Sequence, residues 1–135
     1  MGLKKIYLDS CIVIYYIEDH AVYASKVVAE IGKAAADQFL TSPLVRMECL
    51  IKPFQNKDVN LQKLYDAFWD KQQMLDLPLD VFNRAAQIRA DFPSLKTPDA
   101  IHLATVLHYG CNEFWTNDDR LARIAPQVAR NILTT

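Results

Sequence analysis

Short apolar runs that stop at acids, alternating with longer stretches of helical spacing, set the organisation of this chain. Lys5-Ile6-Tyr7-Leu8 ends at Asp9-Ser10, and the apolar stretch from Cys11 to Ile17 then runs to Glu18. Strand, acid, helix is the simplest parse, although the β-branched residues at 12 to 14 also suit a strand. Ala21 to Ala36 is Ala-rich with helical spacing, and Gln38-Phe39-Leu40-Thr41 predicts a second strand. Ser42-Pro43, a cap followed by proline, opens a helix through Leu44, Val45, Met47, Leu50 and Ile51 that is expected to end before Pro53. Lys52 to Asp58 is the most loop-like stretch. From Val59 to Gln72 the spacing of Leu61, Leu64, Tyr65, Phe68 and Trp69 is helical. Its aromatic stripe suits a core or dimer face better than a base-stacking surface. Met74-Leu75-Asp76-Leu77 predicts a third strand, and Asp80 is expected to cap a helix running to about Asp91.

The densest signals lie between Lys96 and Asp119. Thr97 reads as an N-cap, Pro98 as the first helical residue, Asp99 as an acid where the helix dipole favours it, and Gly110 as the stop, so a helix is expected over Pro98 to Tyr109. Phe114-Trp115 then predicts a short strand that ends at Thr116-Asn117-Asp118, followed by a short helix over Arg120 to Ile124 and an edge strand over Asn131 to Leu133. Strands alternate with helices through most of the chain. That order predicts an α/β fold, a three-layer sandwich with a central, mainly parallel sheet flanked by helices.

At 135 residues the chain is expected to form one domain, residues 1–135. A net charge of -1 supplies no global attraction to nucleic acid or membranes, so a polyanion would need a local cluster of cations. Cys11, Cys49 and Cys111 are odd in number and widely spaced, which predicts buried thiols rather than disulfides or a zinc site. No apolar run approaches the roughly 18 residues of a membrane helix, and no signal-peptide layout is present, so the expected location is the cytoplasm.

Asp9, Asp99 and Asp118 fall at strand ends or helix starts, and Glu48 falls one to two turns into the helix after the second strand. Each has a bland reading: Asp9 as a helix cap, Glu48 as an i,i+4 partner of Lys52. In a parallel sheet, however, these passages converge on one crevice. Two carboxylates ~4 Å apart repel by about 4 kcal/mol at an effective dielectric near 20, a cost that a divalent cation removes. Oxygen donors suit Mg²⁺ or Mn²⁺, and the lack of His or Cys at ligand spacing argues against zinc. Such an ion activates water and stabilises charge on a phosphodiester, which is nuclease chemistry.

Asp9-Ser10, Glu48 after Ser42-Pro43, Thr97-Pro98-Asp99-Ala100-Ile101-His102-Leu103-Ala104 and Thr116-Asn117-Asp118 resemble, in order, the four acidic motifs of the PIN-domain ribonucleases. Length and motif order resemble the VapC-type toxins of prokaryotic toxin-antitoxin pairs. The resemblance implies a Mg²⁺- or Mn²⁺-dependent endoribonuclease acting on an RNA substrate, a homodimer, and a cognate antitoxin protein whose C-terminal segment occupies the acidic groove. It implies Asp9, Glu48, Asp99 and Asp118 as the catalytic, metal-holding set, with Thr116 orienting the acids. Asp119 is an extra acid, either a competing ligand or a cap. His102, one turn after Asp99, either touches substrate or is a hydrogen-bonded histidine. Arg46, Lys52, Lys96, Arg84, Arg89 and Arg120 are candidates to hold RNA phosphates.

Other readings compete with this one. A PIN-fold module that binds RNA or protein with weak or no nuclease activity has no reason to keep four mutually repelling acids. A phosphoacceptor receiver domain wants paired acids after its first strand, where Ser10-Cys11 follow a single Asp9, and three separated glycines cannot form G-x-G-x-x-G.

Overall fold

The computed structural model describes residues 3–134. Strands β1 (Lys5–Leu8), β2 (Gln38–Thr41), β3 (Gln73–Met74), β4 (Glu113–Thr116) and β5 (Ala129–Asn131) form one sheet in the order β3-β2-β1-β4-β5. Each neighbouring pair is parallel, so the expected mainly parallel sheet is parallel throughout. Parallel neighbours need long crossovers, which the helices supply. These are α1 (Ser10–Ile17), α2 (Ala24–Lys33), α3 (Pro43–Gln55), α4 (Val59–Asp70), α5 (Leu79–Asp91), α6 (Thr97–His108) and α7 (Asp119–Ile124).

The pleat sorts the core into two layers. Tyr7 pairs with Leu40 and Phe114, and this row carries His102 of α6 against the Tyr7 and Phe114 rings, with centroids 5.6 and 6.2 Å apart. On the opposite face Phe39 meets Trp115 at 5.5 Å, and Leu8 and Phe39 line a small cavity with Tyr16 of α1, Ile31 of α2 and Phe68 of α4. Both sheet faces are therefore covered, which is why the strands read as continuous apolar runs rather than alternating ones.

From β1 the chain steps outward to β2 and β3, then crosses to the other side of β1 for β4 and β5. The winding direction reverses between β1 and β4, and a crevice opens at their carboxyl ends. The chain places Asp9 and the Thr116-Asn117-Asp118 turn there.

Several boundaries differ from those expected. Helix α3 continues through Pro53 to Gln55: proline lacks only its own N–H, its ring is buried, and its carbonyl accepts hydrogen bonds from the Asp58 N–H (2.9 Å) and Gln62 Nε2 (3.3 Å). The expected loop shrinks accordingly to residues 56–58. Helix α6 starts one residue early, with Lys96 at its N-cap, because the Thr97 hydroxyl is taken by Arg89 Nη1 at 3.1 Å. Gly110 does end it, with φ +64, a conformation glycine adopts without strain. Asp80 lies in the first turn of α5 behind the Pro78 cap rather than capping it. The third strand is only Gln73–Met74; Leu75 gives one more hydrogen bond to Thr41 O before the chain turns away. The last strand lies two residues early, in register with β4 through Phe114–Ala129 and Thr116–Asn131.

The stripe on α4 is core at Tyr65 and Trp69, while Leu64 is exposed. Cys49 and Cys111 are buried, Cys11 is half-buried, all three are free, and burial pushes each thiol up. They are packed groups rather than nucleophiles. Among the described residues no helix is long and apolar enough to cross a membrane.

Candidate metal centre

Asp9 follows the last residue of β1 and fills two roles at once. Its N–H extends the ladder to Trp115 O (3.0 Å), and its Oδ1 accepts from Ser10 N (2.8 Å) at the start of α1. Its Oδ2 accepts from the Thr116 hydroxyl at 2.7 Å, so the carboxylate is held from both strands and is only 7 % exposed. Capping therefore accounts for one oxygen only, and the second is turned to Thr116 at the end of β4.

Thr116, fully buried at the end of β4, links two of the acids. While its hydroxyl donates to Asp9, its oxygen accepts the Asp118 N–H at 3.1 Å. Asp118 in turn caps α7, its Oδ1 accepting from Arg120 N (2.8 Å) and Leu121 N (3.3 Å). Asp99 sits in the first turn of α6. Burial pushes its carboxyl up to about 6, helped by the negative charge of Asp9, Asp118 and Glu48 and opposed by His102. Asp9, Asp118 and Glu48 thus all act on Asp99 across the crevice.

Glu48, in the second turn of α3, does not pair with Lys52 as its helical spacing suggested. Its Oε1 lies 2.6 Å from His102 Nε2. The same nitrogen is 3.9 Å from Asp9 Oδ1, and Asp9, Glu48 and His102 each offer an atom within 4.8 Å of the others. On the other edge of the ring, Nδ1 lies 2.7 Å from the Tyr7 hydroxyl, which lies 2.8 Å from Ser42 Oγ. Of the two readings of His102, the fold shows the hydrogen-bonded histidine, with both ring nitrogens partnered. The signal was the one-turn spacing from Asp99 to His102, but nothing local ties Glu48 to a ring 54 positions away. Tyr7 and Ser42 carried no sequence signal beyond strand and cap.

The donor chemistry fits a hard divalent cation. Lysine and arginine ion pairs of the described residues fall elsewhere: Lys4 and Arg130 on Glu113, Lys26, Lys33 and Arg130 on Glu30, and Arg46 on Asp66. Glu113 shows the contrast with Asp99. Burial would raise it, but hydrogen bonds from Trp115, Arg130 and Lys4 outweigh that and hold it below the usual range. Asp99 has no comparable support, and its carboxyl is raised to about 6 instead. Among the described residues, the atoms close enough to share one ion are those of Asp9, Glu48 and His102, and Asp99 and Asp118 are coupled to this group by charge.

The remaining candidates separate clearly. Asp119 begins α7, and its Oδ1 accepts from Asn131 Nδ2 at 2.8 Å, toward β5. Lys52 lines a cavity of about 510 Å³ with Glu48, Tyr15 and His20. Arg46 is turned to Asp66 of α4 at 4.0 Å. Arg89 and Arg120 are tied to the chain before α6, through Leu95 O (2.9 Å) and Ser94 O (2.8 Å). Arg84 and Lys96 are exposed.

A family model described as PIN domain matches residues 6–126. Among solved structures, the chain is similar to VapBC2 from Rickettsia felis bound to a DNA fragment from their promoter, with a TM-score of 0.78 and 15 % identity over 93 % of this chain and 97 % of that one. It is also similar to a toxin-antitoxin complex from Klebsiella pneumoniae, with a TM-score of 0.76 and 20 % identity over 93 % and 96 %. VapC20 of Mycobacterium tuberculosis, a sarcin-ricin loop cleaving toxin, gives a TM-score of 0.69 and 14 % identity over 88 % and 94 %. No curated protein matches the chain by sequence.

Proposed function

Because this chain belongs to the PIN domain family, we propose that it is a divalent-metal-dependent endoribonuclease, a hydrolase of RNA phosphodiester bonds, and the toxin of a toxin-antitoxin pair. The observation that carries the reading is the convergence of Asp9, Glu48, Asp99 and Asp118 on the crevice where the winding of the sheet reverses, with an Asp99 carboxyl held up to about 6 by burial and by the other acids. Single capping roles explain Asp9 and Asp118 one at a time. They do not explain why uncompensated acids share one crevice.

In this reading Asp9, Asp99, Asp118 and Glu48 hold Mg²⁺ or Mn²⁺, which supplies an acidified water and charge neutralisation at the attacked phosphate. The chain's own contribution is preorganisation. Thr116 ties the Asp9 Oδ2 and the Asp118 backbone together, so two of the acids cannot separate without breaking its hydrogen bonds. Lys52, exposed and lining the cavity beside Glu48, is the cation this reading assigns to a phosphate of the RNA. Among the arginines singled out by the sequence, Arg46, Arg89 and Arg120 already have partners in the fold.

The toxin-antitoxin complexes with the same fold support an antitoxin partner, and the sarcin-ricin loop cleaving toxin supports a structured RNA as substrate. A homodimer belongs to the same proposal, with the exposed Met47, Ile51 and Phe54 of α3 as apolar surface available for it. The test is cleavage of a labelled pool of structured RNAs by purified, antitoxin-free protein in Mn²⁺, Mg²⁺ and EDTA, beside Asp99→Asn and Asp9→Asn. Cleavage that needs metal and is lost in both variants supports the nuclease. Cleavage that survives in EDTA or in both variants rejects it.

A further inference from the structure

We propose that His102 is a positioning residue: its Nε2–H holds the Glu48 carboxylate in the acidic crevice, and a buried line of hydrogen bonds through Tyr7 and Ser42 keeps the ring proton on that nitrogen. The purpose of this arrangement rests on the metal-dependent reading above, whereas its proton placement rests on hydrogen-bond geometry alone.

Two lone pairs cannot face each other at the 2.6 Å that separates His102 Nε2 from Glu48 Oε1, so a proton lies between them. With Glu48 as a carboxylate, that proton belongs to the ring. The other edge of the ring accommodates the same tautomer. Ser42 Oγ accepts the Val45 N–H at 3.5 Å as the cap of α3, and its hydroxyl proton is available to the Tyr7 oxygen 2.8 Å away. The single Tyr7 proton then goes to Nδ1, 2.7 Å away. Burial pushes the Tyr7 phenol well above its ordinary value, a shift that Ser42 only partly opposes, so the phenol remains a donor. In this direction each proton meets an acceptor. Reversing the line would set a bare Nε2 against a carboxylate.

The line begins at the N-cap of α3 and returns to Glu48 in the second turn of the same helix, passing through β1 and α6. It therefore fixes the rotation of α3 against α6 as well as the rotamer of Glu48. Without it, Glu48 lies one turn from Lys52 on a partly exposed helix and is free to swing toward that cation. The ring itself is 1 % exposed between Tyr7 and Phe114, so its Nε2 edge alone reaches the acids. Partners that orient ligating side chains in this way are typically worth about 10- to 100-fold in metal affinity.

The experiment uses the full chain, metal-free, at mildly alkaline pH, with ¹⁵N-labelled histidine. The His102 ring should show one tautomer, protonated on Nε2, with a hydrogen-bonded bare Nδ1. Mn²⁺ affinity is then measured by calorimetry on the wild type and variants. His102→Leu should weaken Mn²⁺ about tenfold, while His102→Gln, whose amide N–H reaches the same carboxylate, should return to within about threefold of the wild type. Tyr7→Phe should shift the Nδ1 resonance and weaken Mn²⁺ by about fivefold. A wild-type ring protonated on Nδ1 overturns the proposal, and so does a folded His102→Leu that binds Mn²⁺ like the wild type. Should His102→Leu not fold, an unshifted Nδ1 resonance with undiminished Mn²⁺ binding in Tyr7→Phe overturns it equally. A wild type that binds no Mn²⁺ instead refutes the metal reading, and the nitrogen spectra still decide the hydrogen-bond line.

Discussion

Replacing Asp99 by Asn should make the metal-free protein more stable, and by an amount that depends on pH. The Asp99 carboxyl is raised from an ordinary 3.8 to about 6, first by burial, then by the charge of Asp9 and Asp118, against the opposing influence of His102. A raised acid favours the native state only while protonated. Its stabilising share is complete below the unfolded value near 3.8 and is lost as pH climbs through about 6. At full strength such a rise corresponds to ~3 kcal/mol. Asp99 is only half-buried, so screening by water reduces this to about 1.5 kcal/mol. The favourable dipole at the start of α6, worth about 0.5 kcal/mol to a carboxylate, is forfeited by Asn. The net gain is about 1 kcal/mol near pH 7.5, or roughly 3 to 5 °C in Tm for a chain of this size. The assay is a set of thermal melts in EDTA from about pH 4.5 to 7.5, followed by the same melts with Mn²⁺. The two proteins should converge at the acid end and separate toward neutrality, and Mn²⁺ should raise the wild type far more than the variant. A gap that does not change with pH, or a variant less stable than the wild type at pH 7.5, would refute the electrostatic reasoning.

Thr116→Val keeps shape but strips a buried hydroxyl from Asp9 and from the Asp118 N–H, which should cost about 2 kcal/mol in denaturant unfolding and weaken Mn²⁺ about tenfold. An unchanged Mn²⁺ isotherm would show that Thr116 supports the fold and not the acids. Asp119→Asn, whose side chain faces Asn131, should leave Mn²⁺ affinity within about twofold of the wild type. A larger loss would return Asp119 to the ligand set.

What the sequence disclosed and what it withheld follow the range over which each signal acts. Asp9, Asp99 and Asp118 were legible because each stands at a boundary between elements, where apolar periodicity stops and cap chemistry begins, and parallel topology gathers those boundaries at one end of the sheet. Helix ends were read less well where a distant group decided them. Arg89 takes the Thr97 hydroxyl and moves the start of α6, and burial carries α3 through Pro53. The partner of Glu48 was not legible because helical spacing offers Lys52 at i+4 and is blind to His102 across the fold. The line from Ser42 through Tyr7 to His102 joins α3, β1 and α6, and no periodicity within a single element encodes it. Arg46, Arg89 and Arg120 looked like phosphate contacts for the same reason: their partners Asp66, Leu95 and Ser94 become neighbours only on folding.

The most direct test of the central claim compares two curves on one preparation of the protein: Mn²⁺ occupancy by calorimetry, and the single-turnover rate of RNA cleavage across the same Mn²⁺ range. If the converged acids are the metal centre of a ribonuclease, cleavage rises with occupancy and has the same midpoint, and Asp99→Asn shifts both curves together to higher Mn²⁺. Cleavage that proceeds at full rate with the site empty, or a variant that loses Mn²⁺ binding yet cuts RNA as well as the wild type, would contradict the account.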